Sequence, residues 1–331
     1  MAQDSVISSD ILNIDYQAEI DKIVEKIKEL VTRVFRRRGI VLGLSGGIDS
    51  SVVCALCIRA LGPKNVLALL MPEKDSASDT LRLSQLVAEA LGAESVLEDI
   101  TTTLDAVGCY RRRNDAIRSV IPEYTDQCKC KIVLPQVTEG EAYRVFSVVT
   151  QFPDGRQIKK RLTHKAYLEV VAATNFKQRI RKMFEYYHAD RMNYVVAGTP
   201  NRQEYDQGFF VKGGDGAADL KPIAHLYKTQ VYKMAEFLGV PQEIINRPPT
   251  TDTYPMEQSQ EEFYFSVSYE KMDYCLYGKN RGISPQEIAR IIGFTPEQVE
   301  RVYQDIENKR KATKYLHMSP VLMEPVQEVA R

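Results

Sequence analysis

Apolar residues follow two different patterns along this chain, a helical period and short continuous runs. Between residues 20 and 35 they recur every three or four positions, which predicts one face of an amphipathic helix. Further along, short apolar runs typical of buried strands alternate with helical stretches. The runs are 39–44, 66–71 and 95–100, and the helical stretches between them are 51–61 and 76–91. This alternation predicts an α/β fold with a parallel sheet and crossover helices.

The alternation stops at about residue 105. From there to about residue 164 the chain contains three consecutive arginines and then two runs, 145–150 and 157–162, that face each other across Pro153-Asp154-Gly155. Two such runs joined by a turn sequence predict a β-hairpin. Helical periodicity returns over 165–189, and a buried strand is predicted at 194–197. Residues 105–164 are therefore predicted to be an insertion in the α/β domain.

The C-terminal part of the chain is predicted to be helical. Its helical stretches are 268–277, 284–292 and 295–311, and the last two open with the capping sequences Ser284-Pro-Gln-Glu and Thr295-Pro-Glu-Gln. We expect an N-terminal helical segment at 1–38, an α/β domain at 39–267, and a C-terminal helical segment at 268–331 that packs on the same domain.

Composition and charge exclude several classes of protein. The 331 residues include 44 Lys+Arg and 44 Asp+Glu, so the net charge is zero and no general field attracts nucleic acid. The apolar runs are far shorter than the ~20 residues that a membrane helix needs. The N-terminus lacks the basic and apolar regions of a secretory signal. We expect a cytoplasmic protein with free thiols, and neither a nucleic acid nor a membrane as partner.

The strongest chemical signal lies between a predicted strand and a predicted helix, in the run Gly43-Leu44-Ser45-Gly46-Gly47-Ile48-Asp49-Ser50. Glycines let backbone N–H groups approach an anion, and the helix N-terminus adds positive partial charge. The spacing is neither that of a Walker A loop nor that of a dinucleotide-binding fold. Asp49 beside phosphates requires a cation, and a bridging Mg²⁺ is the simplest one. The run therefore predicts a pyrophosphate-binding loop with a metal ligand.

The same run resembles the signature of the N-type ATP pyrophosphatases. Later motifs resemble the ammonia-dependent NAD⁺ synthetase family in order and spacing, over about residues 20–104 and 165–311. These motifs are Asn175-Phe-Lys-Gln-Arg179-Ile-Arg181, Gly198-Thr199 followed by Glu204, Gly208-Phe-Phe-Val-Lys212-Gly-Gly-Asp215-Gly-Ala-Ala-Asp219-Leu-Lys-Pro222, and Lys228.

This resemblance implies both a fold and a reaction. The fold is a doubly wound parallel sheet of the adenine-nucleotide hydrolase-like type, usually in a homodimer whose subunits both line the acceptor site. The reaction adenylates the carboxylate of deamido-NAD⁺ with ATP and Mg²⁺, and ammonia then displaces AMP to give NAD⁺. A glutaminase domain does not fit in 331 residues. The expected nitrogen source is therefore free ammonia or a separate glutaminase.

The resemblance also implies roles for individual residues. It implies that ATP is bound by residues 43–50, Thr199, Lys228 and Thr250, and that Mg²⁺ is bound by Asp49 and Glu204. On the acceptor side, the implied residues for deamido-NAD⁺ are Asn175, Arg179, Lys212, Asp215 and Asp219.

The acceptor side departs from the family pattern. The family has Thr-Lys-Tyr-Gly-Asp where this chain has Val211-Lys-Gly-Gly-Asp215, and a His-Lys pair that aligns with Tyr315 and Leu316. An amidotransferase for another carboxylate therefore stays open as an alternative. We also expect the insertion to cover the acceptor end of the cleft or a dimer interface, and not to touch ATP.

Two alternatives belong to other classes of protein. One is a tRNA-thiolating enzyme in which Cys128 or Cys130 carries sulfur, against which the zero net charge and the 175–219 motifs argue. The other is a non-catalytic nucleotide-binding regulator. The presence of Asp49, Glu204 and Lys228 together argues against it.

Overall fold

The strands of this protein belong to two separate sheets. The computed structural model describes residues 9–134, 146–251 and 253–327. Strands β1, β2, β3 and β7 form a parallel sheet in the order β3-β2-β1-β7, whereas β4, β5 and β6 form an antiparallel sheet in the order β4-β5-β6. Their bounds are β1 (Ile40–Gly43), β2 (Val66–Leu70), β3 (Glu94–Leu97), β4 (Lys129–Val133), β5 (Ser147–Gln151), β6 (Gln157–Arg161) and β7 (Val195–Val196).

Helices connect these strands and form the C-terminal part. The α-helices of the described residues are α1 (Tyr16–Glu29), α2 (Ile48–Leu61), α3 (Thr80–Leu91), α4 (Thr101–Ala106), α5 (Cys109–Arg118), α6 (His164–Met192), α7 (Arg202–Gln207), α8 (Lys228–Phe237), α9 (Gln242–Ile245), α10 (Tyr269–Arg281), α11 (Pro285–Ile292) and α12 (Pro296–Thr313). None of the helices in this part of the chain has the length and apolar character that a membrane crossing requires.

The parallel sheet is buried on both faces, because side chains alternate along each strand. Ile40 and Leu42 of β1 pack into a core formed with α1, α2, α3 and α8. Val41 of β1 points to the opposite face and shares a second core with Leu67, Leu69, α4, α5 and α6. Helices therefore cover both faces, and the predicted doubly wound α/β fold is confirmed.

The insertion contains an antiparallel sheet and a helix of its own. The predicted hairpin is confirmed as β5 and β6, with Gly155 at a φ of +86° in the turn; residue 145 of the predicted run lies outside the described residues. Sequence reasoning missed β4, which pairs with β5, and it also missed α5. The apolar period of α5 is concealed because Arg113 and Asn114, both polar, lie on its buried side.

A buried charged cluster fastens the insertion to the sheet. Lys177 of α6 is 1% exposed, and its Nζ lies 2.7 Å from both Glu73 Oε1 and Asp75 Oδ2 in the loop after β2. Arg113 of α5 also contacts Asp75, and the Tyr110 hydroxyl donates to Glu73 at 2.8 Å. Burial would raise the pKa of Asp75, but Lys177 and Arg113 hold that pKa below its usual value. The Asp75 carboxylate in the loop after β2 is therefore held ionised between α5 and α6.

The C-terminal helices pack around a third core. It is formed by α10, α11 and α12 and also includes Leu12 from the N-terminal end and Tyr227 at the start of α8. The predicted caps are present, since the Ser284 and Thr295 side chains accept hydrogen bonds from the third residues of α11 and α12. The division at residues 38 and 267 stays a prediction.

Candidate active site

The loop between β1 and α2 is folded tightly on itself. The Ser45 and Ser50 hydroxyl oxygens lie 3.2 Å apart, and Ser50 Oγ donates to the Gly47 carbonyl at 3.0 Å. Gly46 has a φ of +72°, and a Cβ atom there would lie 2.7 Å from Leu83 Cβ, so a larger residue does not fit. The loop leads into the N-terminus of α2, which is a favourable place for an anion.

Asp49 is held by two side chains from distant parts of the sequence. Lys228 Nζ at the start of α8 forms an ion pair with Asp49 Oδ2, and Asn201 Nδ2 donates to Asp49 Oδ1 at 3.1 Å. Lys228 is 2% exposed. Burial would lower the pKa of Lys228, but Asp49 and then Glu204 raise it above its usual value. The buried ammonium group therefore stays charged next to the loop between β1 and α2.

Glu204 brings a second carboxyl group to the same place. It is the third residue of α7, where its Oε2 accepts from the Asn201 backbone N–H at 3.1 Å and its Oε1 accepts from Gln260 Nε2 at 2.9 Å. Desolvation, followed by the charge of Asp49, raises the pKa of Glu204 to about 8. Once Glu204 ionises, two carboxylates next to one ammonium group leave excess negative charge. Their hard oxygen donors fit Mg²⁺, which would offset that charge.

A cavity of about 170 Å³ joins these groups. Predicted site residues line it together with residues that the sequence did not identify. The predicted ones are Ser45, Gly47, Ile48, Asp49, Ser50, Thr199, Glu204, Lys228 and Thr250, and the others are Tyr232, Ile244, Arg247, Pro248, Pro249 and Gln260.

Three residues of the predicted loop do not line the cavity. Leu44 is buried in the core of the sheet, and Gly46 packs against α3. Gly43 ends β1 beside α6, where a Cβ atom would lie 3.1 Å from Glu185 Oε1. Their part in the site is to shape the loop.

The predicted acceptor residues lie outside this cavity. Arg179 Nε donates to the Lys212 carbonyl at 3.3 Å, and Lys212 Nζ donates to the carbonyl of Tyr315 at 2.7 Å. Asn175 lies one turn before Arg179 on α6 and is half-buried. The structure therefore brings Arg179 and Lys212 together, and it places the C-terminal turn that contains Tyr315 beside them.

Asp215 and Asp219 organise the loop that follows α7. Asp215 Oδ1 accepts from the Val211 backbone N–H at 2.7 Å, and desolvation raises the pKa of Asp215. Asp219 Oδ2 accepts from the Val196 backbone N–H at 2.7 Å and so ties the loop to β7. Between Val211 and Asp215 the loop needs Gly213, whose φ is +73°. A tyrosine, which the family has here, would be strained in that conformation.

Asp273 of α10 is a functional candidate that sequence reasoning missed. This buried carboxylate accepts from the Lys228 backbone N–H at 3.1 Å, from Thr229 N at 2.7 Å and from Gln203 Nε2 at 2.7 Å. Desolvation raises its pKa to about 6. Asp273 therefore fixes the start of α8 against α7, and with it the relative positions of Lys228 and Glu204.

We expect Asp273→Ala to lower the free energy of unfolding by about 3 kcal/mol, because three donors at a buried site lose their acceptor. Urea denaturation measures the change. Asp21→Ala, at an exposed position of α1, is the control and should cost less than about 0.5 kcal/mol. Equal effects of the two substitutions would contradict the role assigned to Asp273.

Of the other residues that sequence reasoning missed, only Asn201 had a local signal. Asn201 and Glu204 have the spacing of a capping box, and the structure contains that box. Gln260 and Arg247 lie in a polar loop without periodicity, so nothing in the sequence pointed to them.

This chain is similar to known proteins over most of its length. The NAD synthase family model matches residues 19–120 and 142–314. The NH₃-dependent NAD⁺ synthetase of Rhizobium meliloti is 57% identical over 98% of this chain and 97% of its own length. The corresponding protein of Thermotoga maritima is 34% identical over 88% of this chain and 94% of its own length.

Solved structures share the fold. NH₃-dependent NAD synthetase from Campylobacter jejuni superposes with a TM-score of 0.61 at 24% identity, covering 94% of this chain and 100% of that chain. NMN synthetase from Francisella tularensis has a TM-score of 0.61 at 21% identity, and the superposition covers 95% of this chain and 100% of that chain. The resemblance predicted from the motifs is confirmed by the sequence relatives, and this chain belongs to the NAD synthase family.

Proposed function

We propose that this protein is an ammonia-dependent NAD⁺ synthetase, a carbon–nitrogen ligase that converts deamido-NAD⁺, ATP and ammonia into NAD⁺, AMP and pyrophosphate. One observation carries the proposal: the glycine loop, two carboxylates and a buried lysine surround a single cavity. The 57% sequence identity to NH₃-dependent NAD⁺ synthetases, over nearly the full length of this chain, supports it.

The cavity is proposed to hold the phosphates of ATP. Of residues 43–50, Ser45 and residues 47–50 would bind them through the loop and the start of α2, with Gly43, Leu44 and Gly46 shaping that loop. Thr199, Lys228 and Thr250 would contact ATP from the other walls. Asp49 and Glu204 would hold Mg²⁺, which would neutralise phosphate charge. Lys228 contributes a fixed positive charge, since Asp49 and Glu204 keep it protonated.

The reaction needs no nucleophile from the protein. A carboxylate oxygen of the substrate attacks the α-phosphorus of ATP, and the bond from that phosphorus to the bridging oxygen breaks, releasing pyrophosphate. Ammonia then attacks the carbonyl carbon of the acyl adenylate, loses a proton, and AMP leaves with the former carboxylate oxygen. The protein's contribution is to position the reactants and stabilise negative charge.

Deamido-NAD⁺ is proposed to bind beside α6 and the loop after α7, at Asn175, Arg179, Lys212, Asp215 and Asp219. The proposal includes a cytoplasmic homodimer supplied with free ammonia or with ammonia from a separate glutaminase. Gly213 and Tyr315, which differ from the family pattern, favour testing another carboxylate as a second candidate acceptor.

The test is to incubate purified protein with ATP, MgCl₂ and ammonium chloride, and with deamido-NAD⁺ or nicotinic acid mononucleotide as acceptor. Chromatography should detect NAD⁺, AMP and pyrophosphate in equal amounts with deamido-NAD⁺. An amide formed only with the mononucleotide would reassign the acceptor. Stoichiometric ADP would contradict the adenylating mechanism.

A further inference from the structure

One edge of the insertion sheet is covered by a segment that lines the cavity. Strand β4 pairs with β5 along one edge, and the carbonyls of Cys130 and Ile132, two residues apart, point to the other. The Met256 backbone N–H donates to the Cys130 carbonyl at 3.2 Å, and Gln258 Nε2 donates to the Ile132 carbonyl. Residues 256–258 therefore lie along β4 and satisfy two carbonyls of its outer edge, one through a backbone N–H and one through a side chain.

The same segment continues directly into the cavity wall. Thr250 and Ser259 form an isolated antiparallel bridge, and the Thr251 N–H donates to the Gln258 carbonyl at 2.8 Å. At the ends of this bridge Thr250 lines the cavity and Gln260 donates to Glu204. The residues that contact β4 and those that form the cavity wall are thus joined by two backbone hydrogen bonds, the second from the Gln260 N–H to the Pro249 carbonyl at 3.4 Å.

Side chains of the insertion add further contacts. Lys131 of β4 forms an ion pair with Glu262 at 2.8 Å, and Tyr254 is buried in the insertion core with Tyr124 and Val148. Lys177 from the charged cluster donates to the Thr253 carbonyl at 2.8 Å. The segment is thus anchored both to the insertion and to α6.

We propose that β4 positions the cavity wall formed by residues 247–250 and Gln260, and that the insertion thereby sets the affinity for ATP. The proposal rests on the proposed function of the cavity. It differs from the expectation that the insertion serves only the acceptor or a dimer interface. The family model leaves residues 121–141 unmatched, and this stretch contains β4. Gln258 is accordingly a positioning residue that acts through Thr250 and Gln260.

Gln258→Leu tests the proposal, because leucine keeps most of the volume and removes the donor to Ile132. We expect the KM for ATP to rise about tenfold, which corresponds to the loss of one buried hydrogen bond. The kcat should stay within about twofold, and so should the KM for ammonium, since the groups around the reacting atoms are unchanged. Lys131→Met, which removes a more exposed contact, should raise the KM for ATP about twofold to threefold.

Lys159→Met on the exposed strand β6 is the matched control, a lysine of the same sheet that lies away from the cavity wall. Calorimetric titration with a non-hydrolysable ATP analogue measures binding independently of turnover. Wild-type affinity in both Gln258→Leu and Lys131→Met would overturn the proposal, and Lys131→Met decides alone if Gln258→Leu does not fold. Wild-type protein that binds the analogue but makes no amide would contradict the proposed function only, because the binding comparison still tests β4.

Discussion

Asp49→Asn should lower kcat for pyrophosphate release at least about 10³-fold while the protein stays folded. The carboxylate lies in the first turn of α2, pairs with Lys228 and accepts from Asn201. An amide in its place is a poor ligand for a divalent cation and leaves Lys228 with a weaker partner. Measured against Mg²⁺ concentration, the variant should not recover wild-type activity at any concentration.

The control for this substitution is Asp21→Asn on the exposed face of α1, which should keep wild-type kcat. Circular dichroism should report equal helix content for both variants. Full activity of Asp49→Asn with unchanged dependence on Mg²⁺ would remove Asp49 from the metal and phosphate site.

Glu204→Gln should lower kcat by about 10²-fold or more and should also remove a pH dependence of stability. In the metal-free protein, desolvation and Asp49 raise the pKa of Glu204 to about 8, above its ordinary value of 4.5. The folded state therefore holds this proton more tightly than the unfolded state does. The resulting stabilisation is present below pH 4.5 and is lost as the pH rises through about 8.

Urea denaturation in EDTA at pH 5, 7 and 9 measures this difference. Glutamine cannot ionise, so the free energy of unfolding of Glu204→Gln should gain on wild type as the pH rises. Mg²⁺ binding to wild type should tighten as the pH rises through about 8, and this tightening should be absent from the variant. Glu25→Gln, exposed on α1, should follow the wild type in both measurements. Parallel pH profiles for Glu204→Gln and wild type would show that Glu204 does not hold the proton assigned to it.

The fold could be predicted where local pattern and burial agree. The runs that became β1 and β2 are apolar because both faces of the sheet are covered, and α3, which follows β2, keeps a clear apolar period. The prediction failed at α5, where Arg113 is buried by pairing with Asp75 rather than by apolar contact. It failed again at β4, a short strand whose partner lies beyond the undescribed residues 135–145.

The site could be predicted where its residues are contiguous. Residues 43–50 form the loop within eight positions, so their chemistry can be read together. Asp273 and Gln260 act only because folding brings α10 and a distant loop to α7 and α8, and no spacing in the sequence encodes that approach. The acceptor residues are predicted through family resemblance alone, because they are divided between α6 and the loop after α7 and share no local pattern.

The most direct test of the adenylation mechanism follows one oxygen atom. Deamido-NAD⁺ labelled with ¹⁸O in both carboxylate oxygens is converted with ATP, Mg²⁺ and ammonium, and the ¹⁸O content of each product is measured by mass spectrometry. Because the carboxylate attacks the α-phosphorus and AMP leaves with that oxygen, each AMP should carry one ¹⁸O, the amide should keep the other, and pyrophosphate should carry none. Label in inorganic phosphate, or unlabelled AMP alongside labelled NAD⁺ formation, would contradict an acyl adenylate at this site.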